Sequence, residues 1–370
     1  MKIIVAPDKF KGSLTSLEVC NAISAGIKKS GRSIEVIEFP MADGGDGFAT
    51  VIKHYLRTGT VYCDTLDPLG RNITVSYQWN EKDRIAIIEM AVASGLVLLK
   101  EKERNPLLTS TFGTGLLIKN AIEKGATKII LGLGGSATND AGTGILAALG
   151  FQFINERGDL LQTSGENLLV IKKIVEPPFI PPVKFEIACD VPNVLYGSNG
   201  AAYVYAPQKG ANEDQVKFLD KGLKNFAAVI KEETGKDISS IPGTGAAGGI
   251  GAAILPFFDV EMKKGIEMII NASKIEEHMK GTDLLITGEG KIDEQSSAGK
   301  VVGYMAVLAK EYGISCIAIC GELQLDDAGI KNLGLHKAIA IKDSQVSTEE
   351  AMKNAGSLLV KKASGILHFL

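Results

Sequence analysis

Two lysines beside a glycine and a carboxylate form the first group near the start of the chain that could carry chemistry. They belong to segment 6–14 (APDKFKGSL), which follows a short apolar run. Its polar candidates are Asp8, Lys9, Lys11 and Ser13. Lysines at the start of a helix suit an anion, because the helix N-terminus adds positive potential. The segment therefore predicts an anion site, although a solvated turn could have the same composition.

A second polar segment, 40–48 (PMADGGDGF), places Asp43 and Asp46 on either side of a glycine pair. Asp-Gly pairs are common in tight turns. Two carboxylates three residues apart also suit Mg²⁺, bound directly or through water. The pattern is consistent with a turn and with a magnesium site, and the residues alone favour neither.

The densest cluster of hydrogen-bonding residues lies in segment 131–150 (LGLGGSATNDAGTGILAALG). Its candidate binding residues are Gly134, Gly135, Ser136, Thr138 and Asp140. Successive backbone N–H groups in such a turn can surround an anion, and a helix that begins near residues 140–142 would add its positive end. Close packing of a helix start on a sheet explains the glycines but not the polar residues beside them. We therefore predict contact between this loop and a phosphate or carboxylate.

Further candidates lie in the middle of the chain. Asp190 comes directly after an apolar run, where a carboxylate can orient a substrate hydroxyl or simply cap a turn. Lys209, in a Gln-Lys-Gly turn, is placed to meet a phosphate. Ser94 and Thr114 are minor candidates for substrate binding, because both positions equally suit helix caps.

Segment 284–300 (LLITGEGKIDEQSSAGK) mixes glycines, lysines and carboxylates at the end of another predicted strand. Its candidates are Gly288, Glu289, Asp293 and Lys300. The last residues imitate a P-loop, but Glu294 stands where that motif requires glycine, so the segment is not a Walker A sequence. Lysines, carboxylates and free amides are nevertheless what phosphoryl transfer needs, for the phosphates, for Mg²⁺ and for the attacking hydroxyl.

Residues 243–248 satisfy the pattern GxGxxG, which raises the question of a dinucleotide site. That interpretation requires a strand immediately before the glycines and an acidic residue about 20 positions after them. The preceding residues, DISSIP, make a poor strand. We therefore expect a close backbone approach at this point rather than dinucleotide binding.

Composition excludes several classes of protein. The net charge of −3 argues against a general nucleic-acid binder. Five scattered cysteines without a CxxC pair indicate a reducing compartment and no structural zinc. The N-terminus has only five apolar residues before a proline, and no run approaches the length of about 18 apolar residues expected of a membrane span. We expect a cytoplasmic protein with no nucleic-acid or membrane partner.

The elements that must position these residues follow a strand-loop-helix order, which predicts an α/β fold. Short apolar runs without alternation suit strands of a parallel sheet buried on both faces, and we include 202–205 among them. Both ends of the chain share this order, whereas the middle is richer in glycine. We predict a discontinuous flavodoxin- or Rossmann-like domain with a mostly parallel sheet (1–62 and 282–370) and an inserted α/β domain (63–281). Division of the chain near residue 180 is the alternative.

Seven segments carry a family resemblance when they are taken in order. They are APDKFKGSL, ADGGDG, LGGSATNDAGTG, ACDV, APQKGA, GAAGGIGAA and LLITGEGKIDEQSSAGK. Across nearly the whole chain they resemble the bacterial glycerate kinase family, of the type that acts in glucarate and glyoxylate breakdown. Three positions depart from the family pattern. Pro192 precedes Asn193 where Asn-Pro is usual, Asp46 stands where Glu is common, and Glu322 stands where a small polar residue is usual.

The resemblance implies an ATP-dependent, Mg²⁺-assisted phosphotransferase that acts on an alcohol group of D-glycerate. The product in this family is usually 2-phosphoglycerate, and 3-phosphoglycerate is the alternative that the residues leave open. The resemblance also implies two α/β domains with the active site in the cleft between them. D-Glycerate and ATP are the expected partners, and a monomer or a homodimer the expected assembly.

On this basis we assign roles as hypotheses. Lys9 and Lys11 meet anionic groups, and Asp190, or else Asp293, orients the attacking hydroxyl. Carboxylates for Mg²⁺ are expected from Asp43, Asp46 and Glu289. The residues do not predict where the adenine of ATP binds. A nicotinamide-dependent hydroxy-acid dehydrogenase and a non-catalytic sugar-acid-binding protein are the alternatives from other classes.

Overall fold

The computed structural model describes residues 1–31, 33–44, 47–297, 300–343 and 347–369. The strands, in chain order, are β1 (Lys2–Val5), β2 (Glu35–Glu38), β3 (Gly59–Leu66), β4 (Asn72–Asn80), β5 (Ile85–Glu89), β6 (Lys128–Gly132), β7 (Gln152–Ile154), β8 (Lys173–Val175), β9 (Lys184–Ala188), β10 (Asp259–Lys263), β11 (Leu284–Ile292), β12 (Ser315–Leu323) and β13 (Lys337–Ala340). The helices are α1 (Ser16–Lys28), α2 (Phe48–Leu56), α3 (Ala91–Ser94), α4 (Phe112–Glu123), α5 (Thr143–Ala148), α6 (Ala201–Tyr205), α7 (Glu213–Thr234), α8 (Ile250–Ile254), α9 (Gly265–Ser273), α10 (Glu276–Met279), α11 (Val301–Glu311), α12 (Asp327–Asn332), α13 (Thr348–Lys353) and α14 (Ala355–Ser364).

Both ends of the chain contribute to the first of two compact units. This unit consists of Met1–Tyr55 and Lys264–Leu370, and Leu56–Lys263 form the second. The sequence analysis placed the two boundaries at 62/63 and 281/282. The first boundary lies earlier because β3 pairs with β4 in the second unit. At the other end β10 is the last strand that pairs within that unit, and residues from Lys264 onward belong to the first.

The sheet of the first unit is parallel. Within the described residues its strand order is β2-β1-β11-β12-β13, with every neighbouring pair parallel. Numbered within the unit this is 2-1-3-4-5, the order of a flavodoxin-like doubly wound sheet. The central strands are buried on both faces, which is why their sequences lack polar alternation. The predicted α/β class with a mostly parallel sheet is confirmed.

Helix α1 begins at a capping box that also fixes the end of the first polar loop. The Thr15 hydroxyl accepts a hydrogen bond from the Glu18 amide, and the Glu18 carboxylate accepts one from the Thr15 amide. Val19, Ile23 and Ile27 follow at helical spacing and are fully buried. Loop 6–14 is therefore held between a central strand and a firmly started helix.

The second unit contains a mixed sheet of order β10-β9-β6-β5-β4-β3. The pairs from β10 to β5 are parallel, and the pairs β5/β4 and β4/β3 are antiparallel. Strands β5, β6 and β9 thus end at the same edge, with Glu89 beside Gly132 and Gly132 beside Ala188. Loops that leave this edge can share one site.

One predicted strand is wrong, because residues 202–205 lie in α6. A four-residue apolar run has no periodicity that separates a strand from a buried helix. Ala201 and Ala202 are fully buried in the same apolar core as Val216 and Leu219 of α7, so helix packing determines the outcome. No helix among the described residues is both long and apolar enough to cross a membrane.

Candidate active site

The loop after β1 lies alongside the neighbouring strand β11 at the point where the strand order of the first sheet reverses. The Asp8 amide donates to the Gly288 carbonyl (2.8 Å), and the Ala6 amide donates to the Ile286 carbonyl (2.7 Å). Ligands of open parallel sheets bind beyond the carboxyl ends of the strands at this reversal. Residues from two distant parts of the sequence are therefore held together where a ligand is expected.

A cavity of 470 Å³ lies at this point, entirely within the first unit. The predicted site residues that line it are Asp8, Lys9, Lys11, Ser13, Asp43, Glu289 and Lys300. Its other charged lining residues, Lys291, Glu322 and Lys342, were not predicted. Lys342 lies two residues after the end of β13, and polar residues just beyond the carboxyl end of a parallel strand are where ligand contacts are expected. Asp46, a predicted magnesium ligand, lies outside the described residues.

Three of the four carboxylates that line this cavity, Asp8, Asp43 and Glu289, lie close enough to influence one another. Asp8 is 8% exposed, and burial, together with the nearby charge of Asp43, raises its pKa to about 7. Burial also raises the pKa of Glu289, which is 7% exposed and accepts a hydrogen bond from Ser296. Buried carboxylates that repel one another favour either a shared proton or a cation. This cluster is therefore the part of the unit best suited to receive positive charge.

The carboxylates fit Mg²⁺ that arrives with a phosphate ligand. Among the described residues no group of three or more His, Cys, Asp or Glu side chains is arranged to hold a metal by itself. Mg²⁺ does not require such a group, because it keeps several waters and uses one or two carboxylates together with substrate phosphates. Asp8, Asp43 and Glu289 offer three carboxylates, more than this requires, beside the lysines of the same cavity.

Three predicted residues of the first unit, Ser13 of the cavity lining among them, have structural partners. The Ser13 hydroxyl donates to the Met352 carbonyl (2.6 Å) on α13, and Thr15 rather than Ser13 caps α1. Gly288 lies against β12, where an added Cβ would be 2.1 Å from the Ile319 carbonyl oxygen. Asp293 forms an ion pair with Lys291 at 3.1 Å, and its charge contributes to the raised pKa of Glu289.

The glycine-rich loop belongs to the second unit and follows β6. Gly134 and Gly135 are exposed, and Gly135 has φ +73°, a left-handed conformation that favours glycine. The loop is fixed on α3 and the residues after it, because Ala137 donates to the Ser94 carbonyl and Leu96 donates to the Gly135 carbonyl (both 2.9 Å). The exposed glycine pair is thus presented on a rigid support.

Lys209 lies beneath this loop. Its side chain is buried, and Nζ donates to the Ser136 hydroxyl (2.8 Å) and to the Thr138 carbonyl (2.7 Å). Burial lowers its pKa to about 7. The sequence analysis predicted that Lys209 meets a phosphate, whereas the structure shows that its ammonium group holds the loop.

Asp140 is fully buried and accepts four hydrogen bonds. They come from the Thr111 amide and hydroxyl (both 2.7 Å) and from the amides of Gly142 and Gly144 (both 3.3 Å). Burial nevertheless raises its pKa. The carboxylate thereby joins the start of α4 to the start of α5, an arrangement that favours a structural role over direct substrate contact.

Ser94 and Thr114 also bond to each other, with 2.7 Å between their hydroxyl oxygens, and both are fully buried.

The side chain of Asn139 differs from its neighbours. It is fully buried, and neither amide atom has a hydrogen-bond partner within the described part of the chain, as is also true of the Thr138 hydroxyl. Buried polar groups are nearly always paired, so the loop retains hydrogen-bonding capacity that a ligand can use. Asn139 is not among the binding residues that the sequence predicts for this loop.

Asp190 is exposed and lies two residues after the end of β9. Because β9 lies beside β6 in parallel, Asp190 and the glycine-rich loop leave the same edge of the second sheet. The structure thus forms two groups from the predicted residues, the charged cavity in the first unit and the loop with Asp190 in the second.

The chain that carries these two groups of residues is similar to known proteins over nearly its whole length. Residues 3–370 match the model of the Glycerate kinase family. The chain belongs to this family. It is 41% identical over 367 residues to a glycerate kinase of Halalkalibacterium halodurans, covering 98% of this chain and 97% of the relative. It is 39% identical over 358 residues to the glycerate 2-kinase of Escherichia coli, covering 96% and 94% of the two chains.

A solved structure agrees with this membership. The crystal structure of a protein assigned as glycerate kinase 2 from Salmonella typhimurium LT2 has a TM-score of 0.89 and 35% identity, and the match covers 100% of this chain and 97% of that one. The family resemblance predicted from the seven segments is confirmed, and the chain is an enzyme of a kinase family.

Proposed function

We propose that the chain transfers the terminal phosphoryl group of ATP to the 2-hydroxyl of D-glycerate, giving 2-phosphoglycerate and ADP. The observation that carries this proposal is the cavity at the strand reversal, where lysines and converging carboxylates lie together in a member of the glycerate kinase family. Membership of a kinase family leaves the dehydrogenase and the non-catalytic binding protein without support.

The lysines of the cavity suit the anionic groups of the reaction. Lys9, Lys11 and Lys300 line it from the loops after β1 and β11. Phosphoryl transfer depends mainly on positioning and on cations that neutralise charge on the transferred oxygens. We assign the three lysines to the phosphates, with Lys11 at the transferred group. When bound with ATP, Mg²⁺ would supply further charge neutralisation beside Asp8, Asp43 and Glu289.

The loop of the second unit supplies hydrogen-bond donors. Its exposed glycine pair, the Ser136 hydroxyl held by Lys209 and the unpaired amide of Asn139 suit the oxygens of a carboxylate or a phosphate. Exposed backbone N–H groups and a buried, unpaired side chain are the features that a ligand would complete. The expectation that both units contribute to one cleft stays a prediction.

In the proposed step the 2-hydroxyl oxygen of glycerate attacks the terminal phosphorus, and the bond from that phosphorus to the bridging oxygen of ADP breaks. The hydroxyl proton passes to a carboxylate. Asp190 remains the first candidate, because it is exposed at the sheet edge that also carries the glycine-rich loop. Asp293, which forms an ion pair with Lys291, is the second candidate.

Position 2 is favoured over position 3 by the relative from Escherichia coli, whose name specifies a 2-kinase. The test is formation of ADP from ATP, measured with a coupled enzyme, in the presence and absence of D-glycerate, with the product identified by ³¹P NMR. We expect ADP only when glycerate is present and a phosphorus signal coupled to the C2 proton. A signal coupled to the C3 protons would establish the 3-kinase, and absence of glycerate-dependent ADP would refute the proposal.

A further inference from the structure

The cavity at the strand reversal has an apolar wall that the transfer of a phosphoryl group to glycerate does not use. We define this wall by its residues, Phe10, Ile341, Ala351, Met352 and Ala355. Each of the three carbons of glycerate carries oxygen, so the acceptor presents no apolar face. The apolar wall therefore suits a reactant other than glycerate.

The wall is a packed surface with one adaptable residue at its opening. Phe10, Ile341, Ala351 and Ala355 are each 5% exposed or less, and Met352 is 41% exposed. Buried side chains in a packed core keep a fixed shape. The flexible, polarisable thioether of methionine makes favourable contacts with aromatic rings. A flat, mostly apolar group is the shape and chemistry that such a surface accepts.

The apolar wall is joined to the loop that carries the first lysines. The Ser13 hydroxyl donates to the Met352 carbonyl at 2.6 Å. At Gly12, which has φ +76°, an added Cβ would lie 2.9 Å from Met352 Cε. Lys9 and Lys11 flank Phe10 of the wall in sequence, and the contacts of Ser13 and Gly12 attach their loop to α13. A ligand with an apolar end and an anionic end would meet both at once.

Lys342 lies between the apolar wall and the charged part of the cavity. It follows Ile341 of the wall, and its Nζ atom is 2.9 Å from the Thr348 hydroxyl and 4.0 Å from the Glu322 carboxylate. The cavity as a whole, 470 Å³, has a volume typical of small-molecule sites, which span about 300–1,000 Å³. The apolar wall and the cationic side chain of Lys342 are thus neighbours in one cavity.

We infer that the apolar wall holds the base and ribose of ATP, while the lysines of the same cavity bind its phosphates. This assignment rests on the proposed function, and it gives the nucleotide a place that the sequence did not. Charge complementarity supports a nucleoside triphosphate, because it combines a flat apolar ring with several negative charges. Glycerate, with one negative charge and no apolar group, matches only the lysine side.

The test compares Met352→Ala with Lys353→Ala, a control on the same helix whose exposed side chain does not line the cavity. We expect Met352→Ala to raise KM for ATP about tenfold, as for the loss of one thioether contact, and to leave KM for D-glycerate unchanged. The control should change neither constant. Adenosine, which lacks phosphates, should inhibit the unmodified protein competitively with ATP and not with glycerate.

Other results would overturn the inference. A rise in KM for glycerate alone would assign the wall to the acceptor. Unchanged constants together with no competition from adenosine would remove the wall from the site. Calorimetric binding of ADP to the unmodified protein and to Met352→Ala keeps the two proposals apart. Even if glycerate is not phosphorylated, tighter binding of ADP to the unmodified protein than to Met352→Ala supports nucleotide binding at the wall. Equal binding of ADP to the two proteins refutes it.

Discussion

The ammonium group of Lys209 lies 2.8 Å from the hydroxyl oxygen of Ser136, across 73 residues of sequence, and the lysine side chain is buried. A second hydrogen bond joins the same nitrogen to the Thr138 carbonyl at 2.7 Å. The glycine-rich loop is therefore fixed from below by a cation, while Gly134 and Gly135 remain exposed above it. We consider Lys209 a positioning residue, because its contacts orient the groups that would meet the ligand.

Replacement of Lys209 by methionine should separate activity from stability. The change removes the two hydrogen bonds from Nζ to the Ser136 hydroxyl and the Thr138 carbonyl, so the loop is no longer held. A misplacement of about 1 Å can cost about 100-fold in rate. Removal of a buried charge favours folding, whereas the unpaired loop groups oppose it, so the free energy of unfolding should change little. Steady-state kinetics and urea unfolding of Lys209→Met measure the two effects. A variant with full kcat/KM would show that the loop does not need this support.

Replacement of Asp140 by alanine should mainly lower the free energy of unfolding, in contrast to Lys209→Met. The carboxylate accepts from Thr111, Gly142 and Gly144, all at helix starts. Truncation would leave buried donors unpaired, at about 1–3 kcal/mol for each group. We expect a loss of about 3 kcal/mol or more in urea unfolding, and almost none for Glu232→Ala on the exposed surface of α7. Normal stability with weakened substrate binding would instead favour the direct contact predicted from sequence.

The contrast between Lys209 and Asp140 shows which parts of the site could be predicted. The loop that contains Asp140 follows strand β6, and the apolar run and glycines that mark this strand end are visible in the sequence. The turn that contains Lys209 follows helix α6 rather than the predicted strand, so the position of a strand end does not account for it. Burial at each position could not be predicted. Gln-Lys-Gly at 208–210 has the composition of a surface turn, and only the packing of the second unit places its lysine beneath another loop.

Strand order in the first unit is a second feature that could not be predicted from the sequence. The sequence identifies the segments that contain Asp8 and Glu289 as candidates but contains no pairing information across 281 residues. Parallel pairing of β1 with β11 brings the two carboxylates into one cavity. The apolar wall also comes from distant segments, since Phe10 and Met352 belong to opposite ends of the chain. Its members look like ordinary core residues, so no pattern in the sequence distinguished them.

Asp8 should link stability to pH. Its pKa rises from 3.8 to about 7 in the folded protein, mainly through burial and then through Asp43. Between these values the folded state binds a proton that the unfolded state has released, so the free energy of unfolding falls as pH rises from about 4 to 7. Asp8→Asn removes this dependence. Its stability should therefore exceed that of the unmodified protein above pH 7, whereas its kcat/KM should be lower because the cation site loses a charge.

The measurement is urea unfolding of the unmodified protein and Asp8→Asn at several pH values from 5 to 8, at equal ionic strength. The slope contributed by one group is at most about 1.4 kcal/mol per pH unit. Parallel curves for the two proteins would show that Asp8 does not titrate in this range. Unchanged kcat/KM would show that its carboxylate is not needed for the reaction.

The last prediction distinguishes the two carboxylates proposed to receive the hydroxyl proton. We expect Asp190→Asn to lower kcat by about 10²–10⁴, the usual contribution of a general base, and to leave calorimetric ADP binding unchanged. We expect a smaller effect from Asp293→Asn, the second candidate, whose carboxylate forms an ion pair with Lys291 at 3.1 Å. Asp214→Asn, with a side chain that is 96% exposed, is the matched control. Turnover of Asp190→Asn at the unmodified rate would exclude its role, and a greater loss in Asp293→Asn would reverse the order of the two candidates.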